Sequence, residues 1–539
     1  MSQSGEPVKP GPGADSPPEG RGGTVRRLAI NAISNWFAIG GHIAVNMYLL
    51  SYVYRSLGED EAFGVYRLGV VMSSAISYLA FGMAGSVLRL AAESVAACNW
   101  ERLSETMSAV RAFLGAAAVL GMLLIVLASF FLLGPLNVPQ ELRPAAAGMF
   151  QLMALDGGIR LMCISYRGLL QAKQRYDLAS VGLVGEAALR LAFVVLCFEL
   201  GWVRLEALGA STAAAALCGL AFLVIMVRRT LPELRLSFTS LKRSAVRAVL
   251  GFGAWIAVAQ ASCQGLGQAG VPLVSATLGT AAAGVFSIPQ MISNYLLYAL
   301  GALTGPMRPV ATTYAVHGRR DTLASLYYVG TRLSLTMLAP AVALLVAYGK
   351  PLLTYWMGPG MAVGYPVMVA YLILVFVRSV GVVGEQLILA TGRIQGVAIT
   401  HLIVAVAGIG MGVAVAIWTD WGLTAMVIGM LLPTALRGIF YLPLRMRRET
   451  QVAWTRLMVQ CVLPPAVSAG VLAAAGWLLA QAWLPHSLFE TLVQMLICGT
   501  AYIPIAWFAV LRPQDRRLAK SVLARRRGTS SGVTQTAEE

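Results

Sequence analysis

The sequence predicts an all-α membrane protein with about fourteen transmembrane helices, arranged as two six-helix lobes related by a pseudo-two-fold axis plus two C-terminal helices. Hydrophobic residues make up 58% of the 539 residues and charged residues only 12%, about half the charged share of soluble domains. Apolar runs of about 20 residues, long enough to cross a hydrocarbon core of about 30 Å, recur along the chain. The loops between these runs alternate in charge, and the two halves of the sequence resemble each other.

The apolar runs define the spans in order along the chain, because a continuous run of this length is typical of a membrane helix. We predict transmembrane helices at residues 28–53, 64–89, 107–133, 144–171, 178–201, 206–228, 246–277, 281–307, 325–349, 364–390, 395–418, 421–444, 455–484 and 488–511.

The distribution of Lys and Arg supports this number of helices. With the N-terminus placed in the cytoplasm, the inner segments hold 29 basic residues, whereas the outer loops hold only Arg55, Arg143, Arg204 and Lys350. Cytoplasmic loops are enriched in Lys and Arg, and a wrong helix count would scramble the alternation. We therefore expect a multi-pass protein of the bacterial inner membrane with both termini cytoplasmic. The net charge of +17 is then topogenic, and we expect no nucleic-acid partner.

Loop lengths and composition predict the domain organisation. Residues near the N-terminus are rich in Gly, Pro and Ser, which is typical of disorder. The longest inner connection separates the sixth helix from the seventh, so it divides two lobes. The predicted segments are a disordered cytoplasmic tail (1–24), an N-lobe (25–228), a cytoplasmic linker (229–245), a C-lobe (246–444), two further helices (445–512) and a basic cytoplasmic tail (513–539).

An internal repeat relates the two halves. Leu57-Gly58 followed by Gly64-Val65-Tyr66 matches Leu278-Gly279 followed by Gly284-Val285-Phe286, and the offset along the repeat stays between 218 and 221 residues. An even number of helices in each repeat gives both halves the same orientation. The expected pseudo-axis therefore runs along the membrane normal, with a site between the halves near the midplane.

Charged residues inside the predicted spans point to that site. Each costs at least about 2.5 kcal/mol at a helix centre, so each should face a cavity or a partner. Arginines outnumber acids, and the excess implies an anionic ligand, since the planar guanidinium suits phosphate or carboxylate. The charged residues are Arg67, Arg111, Arg160, Arg167, Arg190, Arg332, Arg378, Arg437, Asp156, Glu186 and Glu385.

Spacing along the helices separates these groups. Asp156, Arg160, Cys163 and Arg167 recur at i, i+4, i+7 and i+11 and so form one stripe. At a repeat offset of 218 residues, Arg160 falls on Arg378, so we expect these two to face each other across the pseudo-axis.

The predicted roles follow from this arrangement. Arg160, Arg378 and Arg190 are the candidates for binding the anion, and Asp156 and Glu186 would orient them in the empty state. Arg167 belongs to the same cavity, although for the Glu186–Arg190 pair a purely structural ion pair is an equal alternative. Glu385 is a candidate proton or cation site unless Arg378 pairs with it. Arg67, Arg111, Arg332 and Arg437 lie nearer the helix ends, where snorkelling is the simpler explanation.

Cysteine and histidine residues predict no metal site and no cofactor. The seven Cys and four His residues show no CxxC or His-paired spacing, and most of the cysteines lie inside apolar runs. We interpret the cysteines as packing residues.

The stretch Leu57-Gly58-x5-Gly64-Val65-Tyr66, with Arg89-x3-Glu93 at the end of the second helix, resembles the multidrug/oligosaccharidyl-lipid/polysaccharide (MOP) exporter superfamily. The similarity is greatest to its Wzx-like polysaccharide flippases. The resemblance implies a V-shaped pair of bundles around a cationic cavity. The implied substrate is an undecaprenyl-pyrophosphate-linked oligosaccharide, moved by alternating access to the periplasmic leaflet for O-antigen, exopolysaccharide or capsule synthesis. A polysaccharide polymerase or export machinery is a candidate partner.

Three other functions remain open at this stage. A MATE-like drug or cation antiporter would need acidic residues more than arginines, and a lipid II flippase would share the pyrophosphate. A membrane enzyme, such as a glycan polymerase, usually needs a sizeable external loop with acid and base groups. Because no such loop is predicted here, we expect no enzymatic activity.

Overall fold

The computed structural model describes residues 21–80, 83–234, 255, 258–392, 394–450, 452–513 and 515–516, and every regular element in them is helical. Most of the predicted tails and of the predicted linker therefore lies outside the described residues. The predicted N-terminal tail ends inside a helix, because the first helix already begins at Arg21.

The N-lobe contains seven helices. Helix α5 lies at its centre and packs against α2, α4 and α7, while α6 packs against α1 and α7. The helices are α1 (Arg21–Leu57), α2 (Asp60–Ile76), α3 (Met83–Ala96), α4 (Trp100–Phe131), α5 (Arg143–Ala172), α6 (Tyr176–Glu199) and α7 (Leu205–Thr230).

The C-lobe begins in the described part with a helical stretch at residues 258–268. Helix α12 is central and packs against α9, α11 and α14, and α13 packs against α14. The helices are α8 (Gly270–Leu278), α9 (Thr280–Thr304), α10 (Met307–Val316), α11 (Arg320–Trp356), α12 (Tyr365–Ala390), α13 (Ile394–Trp418), α14 (Thr424–Ala435) and α15 (Leu442–Thr450).

The chain ends with α16 (Trp454–Leu457), α17 (Leu463–Ala482) and α18 (Leu488–Ile505). The two long helices of this group pack on α11, so they extend the C-lobe and lie outside the repeat. Ser487 caps the N-terminus of helix α18, because its hydroxyl accepts a hydrogen bond from the backbone N–H of Glu490. Such a cap satisfies one of the free N–H groups at the helix start.

Within the described residues, eleven helical segments are long and apolar enough to cross a membrane. They correspond to eleven of the fourteen predicted spans. Helices also cover the predicted spans 28–53 and 281–307, but neither is among the eleven, and part of 246–277 lies outside the described residues. The all-helical membrane architecture is confirmed, whereas the count of fourteen is not.

The internal repeat is visible where the lobes meet. Gly58 and Gly279 both have positive φ, 66° and 92°, and each ends a helix in a conformation that a side chain would disfavour. The next matched pair, Gly64 and Gly284, brings α2 and α9 into contact. A Cβ atom on Gly284 would lie 3.2 Å from the Cα of Gly64, and one on Gly64 would overlap the carbonyl oxygen of Thr280. The pseudo-axis therefore passes between repeat-equivalent glycines.

Further contacts between the lobes lie at the predicted outer end. The indole Nε1 of Trp356 donates to the carbonyl of Met47 (3.1 Å), and the Trp356 carbonyl accepts from Ser51 Oγ (2.6 Å) and Arg55 Nη2 (3.1 Å). A little apart, Asn137 Nδ2 donates to the carbonyl of Ala276 (2.8 Å). These bonds hold the lobes together at the end that carries few basic residues.

Candidate functional site

An ion-pair network joins α5 and α6 in the N-lobe. The Glu186 side chain is only 2% exposed, and its Oε1 lies 2.5 Å from Arg160 Nη2. Its Oε2 accepts a hydrogen bond from Arg167 Nη2 at 3.1 Å. Gly219 on α7 makes room for this carboxylate, because a Cβ atom there would lie 3.1 Å from Glu186 Cγ. The carboxylate is thus held from two sides by arginines of the predicted stripe.

Asp156 completes the network from within α5. Its Oδ1 accepts from Arg160 Nε at 2.8 Å, as the i, i+4 spacing predicts, and its Oδ2 accepts from the Ser73 hydroxyl of α2 at 3.0 Å. Arg160 is therefore shared between two buried carboxylates. Such a charge is fully compensated in place, which suits a positioning role.

Arg190 is the least compensated member of the network. Its Nη2 lies 3.8 Å from Glu186 Oε1, and its Nη1 lies 3.5 Å from the Asn46 oxygen, so both contacts are long. Its Nε atom, like the Nε atom of Arg167, is buried and has no hydrogen-bond partner in the described part of the protein. A buried N–H without a partner is costly, so this guanidinium is a candidate ligand group.

Arg190 lines a cavity of about 190 Å³ between the lobes, together with Arg67. The described lining contains these two arginines and no carboxylate. The remaining polar lining residues are Asn46, Ser74, Ser287, Gln268, Gln290, Asn294, Tyr66, Tyr295 and Tyr298. The cavity therefore combines two cationic groups with several hydrogen-bonding side chains.

The snorkelling interpretation of Arg67 is wrong. The residue is 8% exposed, and its Nε donates to the hydroxyl of Ser287 at 2.8 Å. Ser287 lies 220 residues further on, at the position that the repeat makes equivalent to Arg67. The repeat offset could have identified this contact, because residues near a pseudo-axis meet their own counterparts.

A second charged cluster lies in the C-lobe. Glu385 of α12 accepts from Arg437 Nη2 at 3.0 Å and lies 3.0 Å from His401 Nε2 of α13. Arg437 also donates from Nε to Thr400 at 3.3 Å. Glu385 therefore pairs with Arg437 and not with Arg378, and the snorkelling interpretation of Arg437 is also wrong.

Arg437 lies in a π-helical segment, Leu436–Tyr441, between α14 and α15. Pro443 follows closely and has no N–H for the carbonyl of Ile439, four residues earlier. The indole Nε1 of Trp454 donates to that carbonyl at 2.8 Å. The irregular segment is thus stabilised from outside the helix, and irregular helical turns of this kind are frequent at functional sites.

The structure places Arg378 apart from Arg160. Arg378 Nη2 contacts the Cys263 sulfur at 2.6 Å, and the two residues line a cavity of about 50 Å³ with His401 and Arg437. Arg160 lines neither this cavity nor the larger one. The two arginines that share the larger cavity are therefore Arg67 and Arg190, both of the N-lobe, and not the expected pair across the pseudo-axis.

Arg332 and Arg111 have partners as well, and the snorkelling interpretation of Arg332 is wrong, because its side chain is only 4% exposed. Arg332 makes two 2.7 Å hydrogen bonds to Asp515, which lies beyond α18 and which the spacing of the spans did not suggest. Arg111 lies over the Tyr166 ring, 5.6 Å from its centre. Four of the eight arginines, Arg160, Arg167, Arg332 and Arg437, thus form close ion pairs with carboxylates, and no cluster of three or more potential metal ligands occurs within the described residues.

A family model described as polysaccharide biosynthesis protein matches residues 34–306, which is half of the chain. No curated protein matches the sequence. Solved structures with the same fold are similar at low identity.

The chain is similar to the lipid II flippase MurJ in an inward closed conformation, with 13% identity, a TM-score of 0.62, and coverage of 89% of this chain and 98% of that one. An inward-facing multidrug resistance MATE family transporter of the MOP superfamily shares 14% identity, with a TM-score of 0.60 and coverage of 80% and 99%. A MOP superfamily transporter from Pyrococcus furiosus Vc1, described as having a binding pocket of reverse polarity, shares 14%, with a TM-score of 0.55 and coverage of 79% and 96%.

Proposed function

The chain belongs to the polysaccharide biosynthesis protein family and has the fold of MOP-superfamily transporters, and from these premises we propose that it is a flippase for a polyprenyl-pyrophosphate-linked oligosaccharide. The lipid moves from the cytoplasmic to the periplasmic leaflet of the inner membrane by alternating access. The observation that carries this proposal is the inter-lobe cavity, where Arg67 and Arg190 of the N-lobe face the C-lobe with no carboxylate in the described lining.

The charge of this cavity favours a pyrophosphate over a cation. Two arginines in one cavity repel cations and attract a multiply charged anion. Each guanidinium can donate two parallel hydrogen bonds to phosphate oxygens, and bonds of this charge-assisted type are about twice as strong as neutral ones. A cation antiporter would need the opposite polarity here, so this rival is disfavoured.

The surrounding network prepares Arg190 for this role. Glu186 and Asp156 neutralise Arg160 and Arg167, while Arg190 keeps only a long contact to Glu186. We assign Arg160, Arg167 and the two carboxylates to positioning, and Arg67 and Arg190 to direct contact with the pyrophosphate. Arg378 contributes a further positive charge beyond Asn294, which lines both cavities.

Alternating access requires the lobes to separate at the predicted outer end. The bonds of Trp356 to Met47, Ser51 and Arg55 break in the state that is open to the periplasm. They form in the state in which the cavity opens to the cytoplasm. A cavity of about 190 Å³ holds the pyrophosphate group alone. The glycan therefore occupies the wider space between the lobes, and the polyprenyl chain stays in the bilayer.

Mass spectrometry of the protein purified gently from its native membrane tests the proposal. The wild type should retain a polyprenyl-pyrophosphate glycan, and the mass of the glycan separates a surface-polysaccharide unit from lipid II. Arg67→Ala and Arg190→Ala should each lower retention by about 10- to 100-fold, because each loses a hydrogen bond between charged groups worth about 1.5–3 kcal/mol.

The matched control is Arg204→Ala, which removes an exposed arginine at the start of α7 and should leave retention unchanged. A double variant, Arg160→Ala with Arg378→Ala, tests the site predicted from the sequence in the same assay and in glycan export by the host. If correctly folded Arg67→Ala and Arg190→Ala proteins retain as much lipid as the wild type, the cavity is not the binding site. If the wild type carries no such lipid, the assignment of substrate fails.

A further inference from the structure

The imidazole of His401 has two competing partners at one nitrogen atom. Nε2 lies 3.0 Å from Glu385 Oε1 and also 3.0 Å from Arg437 Nη2. The residue is buried, with 8% of its surface exposed. Both contacts are short enough for a hydrogen bond, so the protonation of this atom decides which of them forms.

A ring nitrogen either carries a hydrogen and donates, or keeps its lone pair and accepts. With a hydrogen on Nε2, His401 donates to Glu385, but two donors, Nε2–H and the Arg437 guanidinium, then lie in unfavourable contact. Without it, Nε2 accepts from Arg437 and its lone pair faces a carboxylate oxygen. One of the two contacts is therefore unfavourable in every state, and the cluster has two alternative hydrogen-bonding patterns.

His401 lies beside a cavity and close to positive charge. The ring lines the cavity of about 50 Å³ that also contains Arg378 and Cys263. The wall of this cavity is mostly apolar but carries several polar side chains, and its volume has room for at least one water molecule, which is enough to deliver a proton. The charged and titratable groups that face it are Glu385, Arg378 and Tyr371 from α12, Arg437 from the π-helical segment and Cys263 from residues 258–268.

We propose that His401 is a proton-binding residue, and that its protonation and the binding of an anion between the lobes favour each other. A proton from cavity water adds to the free Nε2, the Arg437–His401 hydrogen bond breaks, and the imidazolium donates to Glu385. The proton returns to water when the anion leaves. Glu385, predicted as the ion-coupling residue, then serves as the fixed counter-charge of His401.

Electrostatics connects the two events. Protonation adds a positive charge to a cluster that already holds two arginines and one carboxylate, and Asn294 alone is shared between this cavity and the larger anion cavity. An anion bound there stabilises the added charge, and the added charge attracts the anion. Coupling between two binding events is reciprocal, so each must increase the affinity for the other by the same factor.

The experiment measures proton uptake on binding of farnesyl pyrophosphate to the purified full-length protein. Calorimetry in buffers of different ionisation enthalpy, at several pH values between 6 and 8, counts the protons taken up per probe molecule. Wild-type protein should take up a fraction of one proton and bind about fivefold or more tightly at the acidic end. The phosphates of farnesyl pyrophosphate also take up protons, but equally with every variant. The difference in proton uptake between wild type and variant therefore reports the protein alone.

His401→Gln should still bind the probe but lose the additional proton uptake and most of the pH dependence. Glu385→Gln, which removes the counter-charge, should also lower the uptake, and it guards against a folding defect in the first variant. His42→Gln is the matched control, because His42 is a partly buried histidine beside the N-lobe arginines. Proton uptake that survives in folded His401→Gln protein, or that disappears in His42→Gln instead, overturns the inference.

The inference rests on the proposed function, because the anion is the pyrophosphate of the carried lipid. The two can fail separately. If the wild type retains the lipid-linked glycan in mass spectra but binds farnesyl pyrophosphate without extra proton uptake, only the inference is wrong. If it retains no such lipid and does not bind the probe, the proposed function is wrong and the inference with it.

Discussion

In the N-lobe, three arginines surround Glu186, whose side chain is 2% exposed, whereas in the C-lobe one arginine and one histidine contact Glu385, whose side chain is 21% exposed. Arg160 and Arg378 occupy equivalent positions in the repeat. The first bonds two carboxylates, and the second contacts the thiol of Cys263. The repeat has thus preserved the helical scaffold but not the charges that it carries.

The difference originates in α6 and α13, the helices that follow those of Arg160 and Arg378. At an offset of 218 residues, Glu186 of α6 corresponds to Val404 of α13, so the C-lobe has no second carboxylate at this position. One turn earlier, α13 carries His401 instead. One lobe therefore holds a network of ion pairs and the other a cluster with a titratable imidazole, which is consistent with the positioning role proposed for the first and the proton binding proposed for the second.

Glu186→Gln should produce the largest effect, because it leaves three arginines around a neutral amide. Removing one partner of a buried ion pair costs about 3–5 kcal/mol. Thermal unfolding of the purified variant should show a clear loss of stability, together with weaker lipid retention as Arg190 loses its orientation. Glu199→Gln, at the exposed end of the same helix, is the control. Equal stability of the two variants would mean that the N-lobe network is not a structural centre.

Glu385→Gln should destabilise the protein less, by about 2 kcal/mol. Its carboxylate is partly exposed, so solvent screens the loss, and the amide oxygen still accepts from Arg437. The same unfolding measurement gives the comparison directly. A larger loss than for Glu186→Gln would reverse the distinction between a fixed and a titratable cluster.

Ser73→Ala and Thr400→Val should give the smallest changes. The Ser73 hydroxyl donates to Asp156 at 3.0 Å in a buried site, and Thr400 accepts from Arg437 at the longer distance of 3.3 Å. We expect a loss of about 1.5 kcal/mol for the first and about 0.5 kcal/mol for the second. Unfolding midpoints measured side by side decide the order. A larger loss of stability for Thr400→Val than for Ser73→Ala would contradict this order.

The membrane architecture follows from local features of the sequence. Length and apolarity of a run are enough to identify a spanning helix, which is why eleven predicted spans coincide with helices of suitable length and hydropathy. The i, i+4 pair of Asp156 and Arg160 is equally local, since neighbouring turns of one helix determine it. The predicted cluster on α5 and α6 is likewise brought together, although its part in binding stays a prediction.

Contacts between distant helices required the tertiary structure. Snorkelling was assigned to four arginines from their distance to the helix ends. Three of them, Arg67, Arg332 and Arg437, bond instead to groups far away along the chain. The partner of Arg332 is Asp515, 183 residues away, and no spacing rule connects two residues so far apart.

The sequence by itself determined the helical class, most of the spans, the repeat and an excess of intramembrane arginines, because these depend on composition and on order along the chain. The tertiary structure decided which arginines are neutralised and which remain available. That choice depends on how helices pack. Arg167, 3.1 Å from Glu186, donates a hydrogen bond to the carboxylate, whereas Arg190, 3.8 Å away, is too far for one and keeps its donors available.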